Sequence, residues 1–198
     1  MQISLILSHP SAKSFCAALA DAARDALAHA GHAVSFHHLD AEGFDPRLGE
    51  AELAGRTSDD ALVEDHCREL AACDGLVIVH PNWWSQPPAT LKGWLDRVVR
   101  PGVAYEFRKD DSRRSLPVGL LRARVAVVLN TANVPQVQEQ ALLGDPLETL
   151  WCKSIFPRCG VSDARREVFA VVAASTPEQR SAWLERTRAL VQSVFGKV

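Results

Sequence analysis

Short apolar runs alternate along the chain with longer segments in which apolar residues return at helical spacing. The runs are Ile3–Ser8, Val34–Leu39, Gly75–Pro81, Val125–Asn130 and Glu167–Val172, each of strand length. Between the first two, Ser14–Ala30 places Phe15, Leu19, Ala23, Leu27 and Ala30 on one face and stops at Gly31, the signature of a capped amphipathic helix. Helices are likewise predicted over Asp60–Cys73, from Pro88 through Leu91, Leu95 and Val98, and over Glu139–Ser154. The last helix opens on Thr176, Pro177 and Gln179, a capping-box pattern with proline at the first helical position, and carries Trp183, Thr187, Leu190 and Val194 along one stripe. Strands alternating with helices predict βαβ units and a parallel sheet of five strands, an α/β fold. Gly75–Pro81 is apolar without alternation, as a central strand covered on both faces must be.

Two stretches break the rhythm. Asp40–Asp59 is polar and rich in turn residues, a long connection; Arg100–Leu121 is charged and irregular, a surface excursion whose run Arg108–Arg114 forms a rim. No repeat or linker composition divides the 198 residues, so residues 1–198 read as one domain.

Composition narrows the partners. A net charge of −2 with no basic stripe excludes the electrostatic footprint of a nucleic-acid binder. Cys16, Cys67, Cys73, Cys152 and Cys159 are odd in number and form no CxxC pair, which predicts reduced, mostly buried thiols and a cytoplasmic location. No basic segment precedes the first apolar run and no run reaches the ~20 residues a membrane helix needs, so neither export nor membrane insertion is expected. His29, His32, His37, His38 and His66 lack metal-ligand spacing and are expected at the surface or at strand ends, with no metal. Lys92, Asp96 and Arg97 are expected to form a solvated set on their helix.

Parallel α/β sheets bind ligands outside the carboxyl ends of their strands, which directs attention to three loops. The first, from His9 to Cys16, joins a strand to a helix N-terminus, where free N–H groups and the helix dipole favour a phosphate; Ser11 and Ser14 add hydroxyls. It has no glycine, so it is neither a Walker loop nor a dinucleotide fingerprint. The second, His80–Pro88, sets Trp83 and Trp84 side by side after Pro81 and Asn82. Adjacent aromatics cannot both enter one core, so at least one offers a wall to a flat ring. The third, Asn130, Thr131, Ala132, Asn133, Val134 and Pro135, offers small residues and amides to a ligand edge. Together they describe an anion site, an aromatic wall and a polar rim.

The stretch from Val77 through Pro81, Asn82, Trp83, Trp84, Pro87, Pro88, Ala89, Leu91, Lys92, Trp94, Asp96, Arg97 and Val98, with Gly102, Ala104 and Tyr105, resembles the flavodoxin-like NAD(P)H dehydrogenase (quinone) family. His9, Ser14 and Phe15 stand where that family holds the flavin's phosphate, with Cys16 in place of an asparagine. Gly144, Asp145, Trp151, Phe156, Cys159 and Gly160 extend the likeness over the rest of the chain. The resemblance implies a flavodoxin-like three-layer α/β/α fold with a five-stranded parallel sheet of order 2-1-3-4-5. It also implies bound FAD or FMN, NAD(P)H as electron donor, a homodimer, and two-electron reduction of quinone-like, nitro or azo acceptors with ping-pong kinetics. The cofactor-binding set it implies, with the loop reading, is His9, Ser14, Phe15, Cys16, Pro81, Asn82, Trp83, Trp84, Asn130, Thr131, Ala132 and Asn133.

The family's best-known quinone reductases carry a tyrosine and a histidine that assist hydride transfer, and Val137 and Leu143 occupy those positions here. No catalytic side chain is therefore assigned, and the backbone amides around Thr131–Asn133 are expected to stabilise developing charge. The family also contains regulatory subunits of potassium-efflux systems, and a regulatory partner or a flavodoxin-type electron carrier is the alternative reading. The absence of a Ser/Thr/Gly-rich phosphate loop counts against the carrier.

Overall fold

The computed structural model describes residues 1–109 and 115–196. β1 (Gln2–Leu7), α1 (Phe15–His29) and β2 (Ala33–His38) lead through α2 (Glu50–Leu53) and α3 (Ala61–Ala72) to β3 (Gly75–Pro81) and α4 (Ala89–Val98). A hairpin of β4 (Tyr105–Lys109) and β5 (Ser115–Gly119) precedes β6 (Val125–Thr131). Then come α5 (Gln136–Leu143), α6 (Pro146–Glu148), a π-helical segment (Thr149–Ile155) and α7 (Phe156–Cys159). β7 (Asp163–Phe169), a 3-10 turn (Val172–Ala174) and α8 (Pro177–Phe195) complete the chain. The main sheet is parallel, in the order β2-β1-β3-β6-β7, so its five strands follow the expected 2-1-3-4-5 arrangement.

Period-2 geometry sends alternate side chains of the central strands into two cores. Leu5, Val77, Val79, Val127 and Leu129 pack beneath α1 and α8, while Ile6, Leu76, Ile78, Ala126 and Val128 pack beneath α3, α4 and the π-helical segment. Both faces are covered, which makes the layers α/β/α; each fully buried Val or Leu contributes about 2 kcal/mol by removal from water. Helix starts are fixed locally: Ser14 Oγ accepts from Ala17 N at 3.1 Å, and Thr176 and Gln179 form the predicted reciprocal box.

The structure corrects several expectations. The fifth strand lies at Asp163–Phe169, earlier than Glu167–Val172, because its first half is charged; as an edge strand it exposes Arg165, paired with Asp163 at 3.0 Å. The excursion Arg100–Leu121 contains the β4–β5 hairpin, seated where a Cβ on Gly119 would overlap the Cys159 backbone. Residues 110–114 of the charged run lie outside the described residues. The helix expected over Glu139–Ser154 starts at Gln136 and breaks at Gly144 and Asp145, whose φ values are +70° and +55°.

Two side chains expected in solvent are interior. Arg97 is buried against the long connection, donating to Glu52 Oε1 at 3.1 Å, Asp45 O at 2.7 Å and Ser58 Oγ at 3.1 Å, while Lys92 and Asp96 keep the exposed i,i+4 pair. Gly93 belongs to the same arrangement, since Pro46 of that connection occupies the space of its missing Cβ. His66 is 2% exposed, with Nδ1 accepting from Trp94 Nε1 at 3.0 Å and Nε2 facing Glu42 at 3.3 Å.

Candidate functional site

The carboxyl ends of β1, β3 and β6 open into a cleft of ≈ 390 Å³. His9, Ser14, Phe15, Cys16, Pro81, Asn82, Trp83, Thr131, Ala132 and Asn133 all line it. The fold thus brings together ten of the twelve residues singled out by sequence; the other two are Trp84 and Asn130.

At the α1 end, Ser14 caps the helix, and the N–H groups of Phe15 and Cys16 have no protein acceptor among the described residues. With the helix dipole behind them they form an anion site. His9 Nδ1 accepts from Ser11 N at 3.0 Å, which leaves its proton on Nε2, and burial holds its pKa below the usual value. His38 donates to His9 O at 2.8 Å and Ser8 donates to Asp40 at 3.1 Å, fixing the loop without glycine.

Cys16 is buried with Sγ 3.1 Å from Thr131 Oγ1, and burial pushes its thiol up to about 11, so it is a neutral packing group. Phe15 turns down onto Phe169 and Trp183, with ring centroids 6.3 and 5.6 Å away.

The aromatic loop is a tight two-residue hairpin: Trp83 and Gln86 exchange both backbone hydrogen bonds, at 3.1 and 3.0 Å. Trp84 and Ser85 between them have φ of +54° and +59°, a type I′ geometry usually held by Asn-Gly. For these residues the left-handed conformation costs about 1–2 kcal/mol each. The turn separates the tryptophans: Trp83 leans on His9 at a centroid distance of 5.8 Å and walls the first cleft, while Trp84, 98% exposed, borders a second cleft of ≈ 390 Å³ against α5. Glu139 of α5 accepts from Asn82 Nδ2 and Ser85 Oγ and pins the turn.

Asn130 faces the interior. Its Nδ2 meets His80 Nε2 at 2.8 Å and its Oδ1 accepts from Arg166 Nε at 2.6 Å; Arg166 in turn pairs with Asp145 at 2.9 Å. His80 also accepts from Trp151 Nε1, so its side of the sheet carries a buried polar network behind the cleft floor. The backbone amides expected to stabilise charge are partly committed, since Ala132 N donates to Phe169 O at 3.0 Å; Asn133 N has no protein acceptor among the described residues.

Sequence reading missed three contributors. Val172 and Ala173 close the cleft after β7, held by Val172 N to Ala132 O at 3.1 Å and Ala173 N to Asn133 Oδ1 at 2.9 Å. Arg180, in the first turns of α8, adds positive charge to the rim and is steadied by Ser175 Oγ at 2.8 Å. The signal for Arg180 was its position soon after the Thr176 cap, but only the sheet order brings that cap to the cleft.

An anion-seeking helix end joined to an aromatic wall and a polar rim fits a phosphate-bearing flat heterocycle, and the donors for the phosphate are those left unpaired by the protein itself. A family model described as "Flavodoxin-like fold" matches residues 1–193. Among curated relatives, an uncharacterized NAD(P)H oxidoreductase of Haemophilus influenzae is 29% identical, over 91% of this chain and 89% of its own. An FMN-dependent NADH:quinone oxidoreductase of Ralstonia nicotianae is 28% identical over 89% and 79%. Among solved structures, an NAD(P)H:quinone oxidoreductase from Methanothermobacter marburgensis superposes with a TM-score of 0.84 at 24% identity, covering 100% of this chain and 98% of that one, and so shares the fold.

Proposed function

This chain belongs to the flavodoxin-like fold family, and from that premise we propose that it is a flavin-dependent NAD(P)H oxidoreductase that reduces quinones or similar acceptors, such as azo and nitro compounds, by two electrons. The carrying observation is the cleft that joins the unspent N–H groups of Phe15 and Cys16 to the Trp83 wall. The relatives named as NAD(P)H and quinone oxidoreductases support the reading.

When bound, the flavin, FMN or FAD, supplies hydride chemistry. The α1 N-terminus, with His9 Nε2 and Arg180 at the rim, would hold its phosphate, and Pro81, Trp83, Thr131, Ala132 and Asn133, which line the same cleft, would hold its ring. Asn133 N is the backbone donor available for charge that develops there. Donor and acceptor visit the site in turn, which gives ping-pong kinetics.

The protein acts as a homodimer in this reading. Support comes from an apolar groove of ≈ 360 Å³ between α4, the hairpin and the π-helical segment, walled by Leu95, Val99, Tyr105, Phe107, Leu150 and Ile155, with Phe107 58% exposed. Five free cysteines support a reducing, cytoplasmic setting, and no helix among the described residues is long and apolar enough to cross a membrane.

The test is an absorbance spectrum and mass identification of the released cofactor, followed by NAD(P)H oxidation with menadione by the purified protein alone. Flavin absorbance with parallel double-reciprocal lines is expected. A colourless protein unchanged in fluorescence by FMN and FAD overturns the flavin assignment; a flavin-loaded protein that does not oxidise NAD(P)H overturns the enzymatic one.

A further inference from the structure

We propose that Glu139 sets the acceptor preference: it holds the Trp84–Ser85 turn as the wall of the second cleft, and its charge keeps anionic molecules out of that cleft. The proposal rests on the reading of the protein as a flavin-dependent reductase.

The second cleft shares Asn82, Ala132, Asn133 and Val134 with the first, so the two adjoin. Besides Ser85, Gln138 and Glu139, its remaining walls are Trp84, Leu142 and Leu143, all three exposed and apolar like the shared Val134. A neutral planar molecule gains by covering such a surface. Glu139, 5% exposed, also lines the cleft. Its carboxylate accepts from Asn82 Nδ2 at 2.9 and 2.7 Å and from Ser85 Oγ at 2.8 Å.

Among the described residues these hydrogen-bond partners are neutral, so the bonds satisfy the oxygens without cancelling the charge. Glu139 lines a cleft that opens to solvent beside Trp84, so its negative charge reaches an anion entering there and added salt screens it. The two adjoining clefts therefore have opposite electrostatic character. The first attracts an anion through the α1 terminus and Arg180; the second repels one. Glu139 is a positioning and specificity residue, reaching the acceptor through the turn and through its field.

The experiment compares menadione with its anionic relative 1,4-naphthoquinone-2-sulfonate on the flavin-loaded protein. The wild type should favour menadione in kcat/KM by about tenfold at low salt, through KM, and the gap should close as ionic strength rises from about 0.01 M to about 0.5 M. Glu139→Gln, which keeps a carbonyl acceptor for Ser85, should lower the ratio of the sulfonate KM to the menadione KM by about fivefold at low salt. An unchanged ratio in the variant, or a salt-independent gap in the wild type, overturns the proposal.

A measurement without turnover keeps the two readings distinguishable. The fluorescence lost in Trp84→Phe isolates Trp84, whose quenching by iodide should rise about twofold in Glu139→Gln while quenching by neutral acrylamide stays constant. Equal iodide quenching in both overturns the proposal even if neither quinone is reduced, an outcome that by itself would sink the enzymatic reading. If Glu139→Gln does not fold, the salt dependence of the wild-type sulfonate KM decides.

Discussion

The indole N–H of Trp151 donates to Nε2 of His80 across 3.0 Å, and both side chains are fully buried. Asn130 Nδ2 points at the same nitrogen from 2.8 Å, and His80 Nδ1 donates to Pro81 O at 2.8 Å. Two donors aimed at Nε2 require it to be bare, so His80 is neutral with its proton on Nδ1. Burial, partly opposed by the Pro81 bond, lowers its pKa from 6.5 to about 4.

Protonation therefore opposes folding. Below pH 6.5 the unfolded chain takes up a proton that the folded one refuses, so this contribution is fully present above 6.5, declines as pH falls, and is gone below about 4. Across that window the loss is about 3 kcal/mol. Urea unfolding of wild type and His80→Gln between pH 4 and 7 should show the wild type losing stability more steeply; parallel curves would refute the assignment.

Arg166 has a side chain only 2% exposed and pairs with Asp145. Asp145→Asn keeps the shape and tolerates φ of +55° but leaves the buried guanidinium with only the more distant Glu148, at 3.4 Å, as a counter-charge. A stability loss of about 2 kcal/mol, below that of a fully unpaired buried charge, is expected in chemical denaturation. Because Arg166 also orders Asn130 and hence the end of β6, flavin affinity should fall with it.

Trp84 is held left-handed while almost wholly exposed, so its ring contributes little to folding. Trp84→Asn, suited to that conformation, should raise stability by about 1 kcal/mol, seen as a higher Tm, and lower kcat/KM for menadione. A variant both less stable and equally active would show that the turn is not strained for the sake of the site.

His37 shifts the opposite way from His80. Burial opposes its charge, but its ring nitrogens donate to Glu69 at 2.9 Å and Glu42 at 3.0 Å, and these carboxylates raise its pKa above 6.5. Its stabilisation is complete below 6.5 and is lost as pH rises through the folded pKa. Burial lowers the pKa of neighbouring His66, helped by the charge of His37. NMR titration should separate the two rings on opposite sides of 6.5, and Glu69→Gln should lower the His37 midpoint.

How much of this could be read from the chain depends on whether the cause was local. Thr176 and Gln179 cap α8 as their spacing requires, and β3 is as apolar as a central strand must be. The three loops were found because a strand's carboxyl end is a local place in the sequence. Asn130 was misread because β6 pleat geometry and Arg166, 36 residues on, decide which way its amide turns. Glu139 was invisible for the same reason: its partners Asn82 and Ser85 come from another strand's loop. Arg97 and His66 looked solvated because their partners lie in a long connection without periodicity.

The charged start of β7 has its own logic. β7 forms one border of the sheet, and Arg165 and Asp163 stand where a more apolar pair would have announced a strand from the start. The edge backbone has an open row of N–H and C=O groups, and an apolar pair would have left that row inviting to another strand. The disguise that defeats pattern reading is thus the protection against unwanted association: at this edge, solubility is gained by a strand that does not look like one.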